Sequence, residues 1–248
     1  VKNFLLPLFM LALGSTAQAR VFNINKETFA AYFNVTGGGS AINTAAVENE
    51  SGSGVNFSGG VKYNYTGEFG FLYSRPRASL RFGFEILKPS VLESTANNGA
   101  NLYSAKSDIL GYVPKLTFEL NVHGTNTYRS FVSVTAGSAN ITMKNDYTLT
   151  AAGTAAYPGV TDHGVEAKGS GTLLSASLGY EGIMTDTTTV VVEFGYRQLK
   201  IDNLKYSKDV TTFSGAKTSG DPVLDSSGKQ RELDFSGGFI SLGFRFYM

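Results

Sequence analysis

From Val55 to Tyr73 the chain alternates without a break. Odd positions carry Val55, Phe57, Gly59, Val61, Tyr63, Tyr65, Gly67, Phe69, Phe71 and Tyr73, and the facing even positions carry Asn56, Ser58, Gly60, Lys62, Asn64, Thr66 and Glu68. Successive side chains of an extended chain point to opposite sides, so a period of two defines a strand with one apolar and one polar face. The pattern recurs along the chain. Leu80, Phe82, Phe84 and Ile86 oppose Ser79, Arg81, Gly83 and Glu85, and Leu110, Tyr112, Leu116, Phe118, Leu120 and Val122 oppose Gly111, Lys115, Thr117, Glu119 and Asn121. From Tyr128 to about Met143 the apolar series Val132, Val134, Ala136 slips phase to Ala139, Ile141, Met143, which predicts a β-bulge near Gly137-Ser138. Leu174, Ala176, Leu178, Tyr180 and Met184 then oppose Ser175, Ser177, Gly179 and Glu181, and Val190, Val192, Phe194 and Tyr196 oppose Glu193, Gly195 and Arg197.

Composition excludes other ways of building a fold or crossing a membrane. Past the first residues no run approaches the ~20 apolar residues of a membrane helix, so any spanning falls to strands. With 29 Gly, 13 Tyr, 18 Phe and no Cys, the content is that of an all-β chain without a disulfide framework. The N-terminal stretch reads as a secretory signal: Lys2, the apolar Phe4 to Leu13, and Ala17-Gln18-Ala19 as cleavage site, so residues 1–19 are expected to leave and a barrel domain to occupy 20–248. Without Lys2 the 21 basic residues become 20, matching the 20 acidic ones. No basic excess remains to hold a nucleic acid.

The final segment puts Ile240, Leu242, Phe244, Phe246 and Met248 on one face against Ser241, Gly243 and Arg245. It resembles the C-terminal assembly signal of bacterial outer-membrane barrels, a strand ending in an aromatic that the insertion machinery reads, with Met248 where Phe is usual. An N-terminal partner over Thr28 to Thr36, with Phe29, Ala31, Phe33 and Val35 outward, closes the ring. Connections alternate between short (73–77, 124–127, 185–187) and long (37–54, 93–109, 147–168, 207–231). Short turns on one side of the membrane and long loops on the other are the habit of such barrels. Three turns and four loops make eight strands.

The expected fold is therefore an all-β, closed, up-and-down antiparallel transmembrane β-barrel of eight strands. A soluble barrel would bury the apolar face, but that face is too rich in large aromatics for a narrow interior, whereas small and charged residues fill one well. Tyr73, Tyr112, Tyr128 and Tyr196 fall near segment ends, where interfacial girdles sit. The chain resembles the OmpA transmembrane domain and OmpX type of eight-stranded bacterial outer-membrane barrel. That likeness implies residence among outer-membrane lipids and a structural, adhesive, pore-forming or occasionally enzymatic role, so fold does not settle function.

Ten charges on the polar face form the candidate site: Lys62, Glu68, Arg81, Glu85, Lys115, Glu119, Glu181, Glu193, Arg197 and Arg245. Buried charges survive when paired, and an eight-stranded interior is just wide enough for side chains. A salt-bridged plug is thus expected ahead of an ion-conducting lumen. An OmpW-like or porin-like pore for ions or small solutes is the alternative. Enzymatic chemistry has little to stand on: His123 falls in a turn, and His163, after Asp162, reads as a solvated loop residue without a nucleophile beside it. No phosphate loop or metal spacing calls for a cofactor. The long loops leave a surface-binding role open, its ligand unspecified.

Overall fold

In the computed structural model the described residues are 22–48 and 55–248, so the expected signal at 1–19 lies outside them. Eight strands make the barrel: β1 Phe29–Asn43, β2 Val61–Ser74, β3 Ala78–Pro89, β4 Asn101–Gly124, β5 Tyr128–Leu149, β6 His163–Ile183, β7 Thr188–Ile201 and β8 Gly237–Tyr247. Each pairs antiparallel with its sequence neighbour, and β1 pairs with β8 from Ala30↔Tyr247 to Gly38↔Phe239. The ring is closed, which satisfies every strand edge along the wall.

Parity sets the faces. In register, Phe244, Phe33, Phe69 and Phe84 sit side by side on β8, β1, β2 and β3, all pointing outward, with the Phe69 and Phe84 rings 5.6 Å apart. Around the wall Phe71, Phe82, Phe118, Leu178 and Phe194 are exposed as well. At least nine residues of β4, Tyr112 to Leu120, run along this apolar band, about the length a tilted strand needs to cross a bilayer.

The strands continue past the band, and there the expected loops 93–109 and 147–168 need correction. β4, β5 and β6 hold 24, 22 and 21 residues and take in 101–109 of the first segment and 147–149 and 163–168 of the second. Leu92–Asn97 adds a further strand to β4, and Asn56–Phe57 pairs with it. What remains of the third loop is 150–162, which holds the short helix α1, Ala151–Ala156, capped by Thr150. β1 likewise extends to Asn43, beyond the expected Thr36.

The bulge expected near Gly137-Ser138 is absent. β5 pairs with β6 in one unbroken register from Tyr128↔Gly182 to Tyr147↔His163, and with β4 it keeps the same register at Tyr112↔Asn140 and Lys115↔Gly137. Odd residues of β5 face inward throughout; what changes is their chemistry. Below Gly137 they are Arg129, Ser133 and Thr135 with the single aromatic Phe131 among them, and above it Ala139, Ile141 and Met143, with Asn140, Thr142 and Lys144 now outside. The apolar face swaps sides because the surroundings do, from lipid outside to water outside.

This swap occurs on five neighbouring strands. Lys88 follows Ile86 outward on β3, Asp108 and Lys106 lie above Leu110 on β4, Thr172 and Ser170 above Leu174 on β6, and Gln198 and Lys200 follow Tyr196 on β7. The barrel consequently has two storeys. The lower one is greasy outside and polar within; the upper one, the head, is polar outside and encloses a core of Leu87, Val113, Ile141, Met143, Leu173 and Leu199 among others. Loop 202–236 closes over that core through Leu204, Tyr206, Val223, Leu233 and Phe235.

Candidate functional site: a sealed lumen beneath a packed head

Inward parity in the lower storey brings charges from seven strands together. Arg81 on β3 clasps Glu193 on β7 with Nη1–Oε1 2.6 Å and Nη2–Oε2 3.0 Å, and its Nε lies 2.8 Å from Glu119 on β4. Arg245 on β8 takes the other side of Glu119 at 2.6 and 3.1 Å and reaches Glu181 on β6 at 2.7 Å. Arg129 on β5 meets the same Glu181 at 2.6 Å. Glu193, Arg81, Glu119, Arg245, Glu181 and Arg129 thereby form one chain of alternating sign.

A second group lies next to it. Lys115 bridges Glu68, at 3.0 Å, and Glu85, and Arg197 holds the other Glu85 oxygen at 3.1 Å. Tyr32 ties the groups together, donating to Glu68 at 2.6 Å with the Arg81 guanidinium over its ring. Remaining lone pairs are met by hydroxyls: Thr189 and Tyr247 donate to Glu181 at 2.5 and 2.7 Å, and Ser177 to Glu193 at 2.9 Å. Such saturation is what lets ionised groups persist away from water.

Two of the side chains differ from the sequence expectation. Lys62 is exposed and outside the network; β1 carries an irregularity between Gly39 and Asn43 opposite the start of β2, so the parity of Lys62 cannot be extrapolated from Asn64 and Thr66. Its place in the charge balance belongs to Arg129, 1% exposed, which lies beside the 124–127 turn and is not among the ten expected charges. The signal was available, because outward Val132 and Val134 put residue 129 on the polar face. Glu68, Arg81, Glu85, Lys115, Glu119, Glu181, Glu193, Arg197 and Arg245 all point inward and lie within this network. Ile240, Leu242, Phe246 and Met248 face outward and are exposed, with Phe244 partly covered.

Little open space remains. A gap among the lumen charges, beside Asn34, Lys115, Arg197 and Ser241, measures about 40 Å³, room for a few waters and not for a solute. Glycines make the fit possible: a Cβ on Gly83 would overlap the Tyr32 hydroxyl and the Glu68 carboxylate, and one on Gly179 the Phe131 ring. Above the charges the apolar core of the head provides a second obstruction.

The histidines are placed differently from each other. His123 is exposed and lies 3.2 Å from the Tyr128 hydroxyl. His163 is not a solvated loop residue: its Nδ1 lies 2.8 Å from the Thr161 carbonyl, and its ring stacks on Tyr147 and meets Phe213 edge-on, in a cluster with Tyr103 and Tyr157. Asp162 is occupied in accepting the Leu149 backbone N–H at 2.8 Å. Among the described residues no group of three potential metal ligands converges.

No protein-family profile and no curated protein matches the chain. Solved structures similar to it include the outer membrane protein OprG from Pseudomonas aeruginosa, with 10% identity over 92% of this chain and 99% of that one at a TM-score of 0.45. A major outer membrane protein from Thermus thermophilus gives 10% identity over 88% and 99% at 0.45, and the outer membrane protease OmpT from Escherichia coli 8% over 94% and 99% at 0.40. The eight-stranded architecture of the present chain rests on its own closed ring of hydrogen bonds.

Proposed function

We propose that the protein is a non-conducting bacterial outer-membrane barrel that acts as a rigid mount for the head and loops on its long-loop side, serving a structural or surface-binding role. The observation that supports it best is the pairing of the lumen charges: Arg81, Arg129, Arg245 and Glu119, Glu181, Glu193 are all buried and mutually bonded. A path for ions would have to break these contacts and then cross the apolar core above them. Rigid scaffolds carrying long, folded connections are where recognition commonly resides. A catalytic role lacks support, since neither histidine has an acid and a nucleophile arranged about it.

Refolded protein in a planar bilayer tests this directly. Baseline current without steady steps is the expected result. A large, lasting conductance would move the protein to the alternative, a pore for ions or small solutes.

A further inference from the structure

The outside of the head is charged, and its charges are ordered. Directly opposed pairs on neighbouring strands are of opposite sign: Glu93↔Lys106, Lys106↔Asp146, Asp108↔Lys144 and Lys144↔Glu166. Opposed charges on a sheet stabilise when unlike and destabilise when like. One pair breaks the rule. Lys205, on the short strand Lys205–Tyr206 of loop 202–236, is paired with Lys168 of β6, and both side chains are exposed.

Lys168 has only a share in one carboxylate, and Lys205 forms no ion pair among the described residues. The carboxylate nearest to Lys168 is Glu166 at 4.0 Å, and that group is already engaged by Lys208 at 3.0 Å and by the Ser207 hydroxyl at 3.0 Å. The two lysines border a groove of about 510 Å³ that loop 202–236 forms against the wall of β5 and β6. Asn140, Thr142, Ser170 and Asn203 line it with hydroxyls and amides, and Tyr112, at the upper limit of the apolar band, also lines it. A cationic, hydrogen-bonding hollow therefore opens directly onto the lipid-facing surface.

We infer that the groove between Lys168 and Lys205 binds the phosphate-bearing headgroup of an anionic membrane lipid, whose acyl chains lie along the apolar wall below Tyr112. Phosphate oxygens placed between the ammonium groups turn a repulsive pair into two charge-assisted contacts, and the hydroxyls and amides receive the polar remainder of the headgroup. A soluble anion would gain the first set of contacts but not those of the acyl chains. The inference rests on the membrane-spanning reading, and that reading has its own readout in the heat-modifiable migration of the folded barrel, recorded before any ligand is added.

Calorimetric titration of the refolded barrel in neutral maltoside micelles provides the test, with three probes: short-chain phosphatidylglycerol, short-chain phosphatidylcholine and inorganic phosphate. Phosphatidylglycerol is expected to saturate one site per chain, with the other two at least about tenfold weaker. The variant K168Q/K205Q should lose that binding by about tenfold or more, whereas K106Q/K144Q keeps it. Without lipid, Lys205→Gln should raise the melting temperature, because it removes a like-charge contact while leaving the strand intact. Unchanged phosphatidylglycerol binding in folded K168Q/K205Q would overturn the site, and equal binding of inorganic phosphate would overturn its assignment to a lipid.

Discussion

Arg81 and Glu193, separated by 112 residues in sequence, meet across the lumen as a two-pronged ion pair at 2.6 and 3.0 Å. Replacing Arg81 by Ala leaves Glu193 and one side of Glu119 without their cation in a space with little water. The expected loss is about 3–5 kcal/mol of unfolding free energy, the range for removing one partner of a buried pair. Denaturant unfolding in detergent measures it, and a change under about 1 kcal/mol would mean that water reaches these groups freely.

Arg81→Ala should nevertheless remain electrically silent in a planar bilayer. Ions that pass the gap in the charge network still meet Leu173, Leu199 and Ile141 in the head, which are 1%, 0% and 3% exposed. Steady current through this single variant would show that the apolar core is not a seal.

Within β5 the cost of a lysine should rise, vanish and rise again. Val134→Lys places an ammonium on the lipid side, at about 2–4 kcal/mol if it lies near the midplane. Ser138→Lys, outward and above the band, should stay within about 0.5 kcal/mol. Met143→Lys buries a charge in the head and should exceed about 4 kcal/mol. Equal costs at 134 and 138 would contradict the boundary placed between them.

The closing strand offers a contrast of faces. Phe246→Asp puts a carboxylate on the lipid-facing side of β8 and should sharply reduce the membrane-inserted, heat-modifiable form. Ser241→Asn faces the 40 Å³ gap, has space to fit, and should insert normally. Similar yields for the two would show that outward and inward residues of β8 are not distinguished during assembly.

Acid should loosen loop 202–236 before it affects the barrel. Hydrogen bonds from Ser227 and the Lys229 backbone hold the Asp225 carboxyl below its usual range, and bonds from the Thr218 backbone and hydroxyl do the same for Asp221. Folded values below unfolded ones mean that this stabilisation is complete above the unfolded value near 4 and lost as pH falls through the folded values. Amide exchange across 218–229 should therefore accelerate below about pH 4, and a flat profile there would refute the coupling.

The eight strands were legible because lipid and lumen impose opposite chemistry on alternate residues, and Phe82 against Arg81 states that contrast locally. Strand length was less legible. Alternation continues past Gly137, but with Ala139, Ile141 and Met143 on the face that carried Ser133 and Thr135, and an inversion of polarity is hard to tell from a shift of phase when only one strand is read. Comparison of β5 with β4 and β6 resolves it, since Asn140, Tyr112 and Ser170 form one register row. Lys62 and Arg129 trade places for local reasons, an irregularity opposite the start of β2 and a charge that sits on the second residue of β5, next to a turn. The like-charged Lys168 and Lys205 could not be paired from sequence, because loop 202–236 brings them together only when it folds back onto β6.

The inversion of faces along β3 to β7 also works as a depth gauge. Raising the barrel would strip lipid from Phe84 and Tyr112, and sinking it would draw Lys88, Lys144 and Lys200 into hydrocarbon, so its vertical position in the bilayer is fixed to within about a residue pair. Above that waterline β5 runs from Ser138 to Leu149, roughly 40 Å of strand at about 3.3 Å per residue, or some 30 Å of elevation at a tilt near 40°. A crowded cell surface would otherwise bury short loops among lipid headgroups and sugars; here the loops are carried on a stiff pedestal of set height.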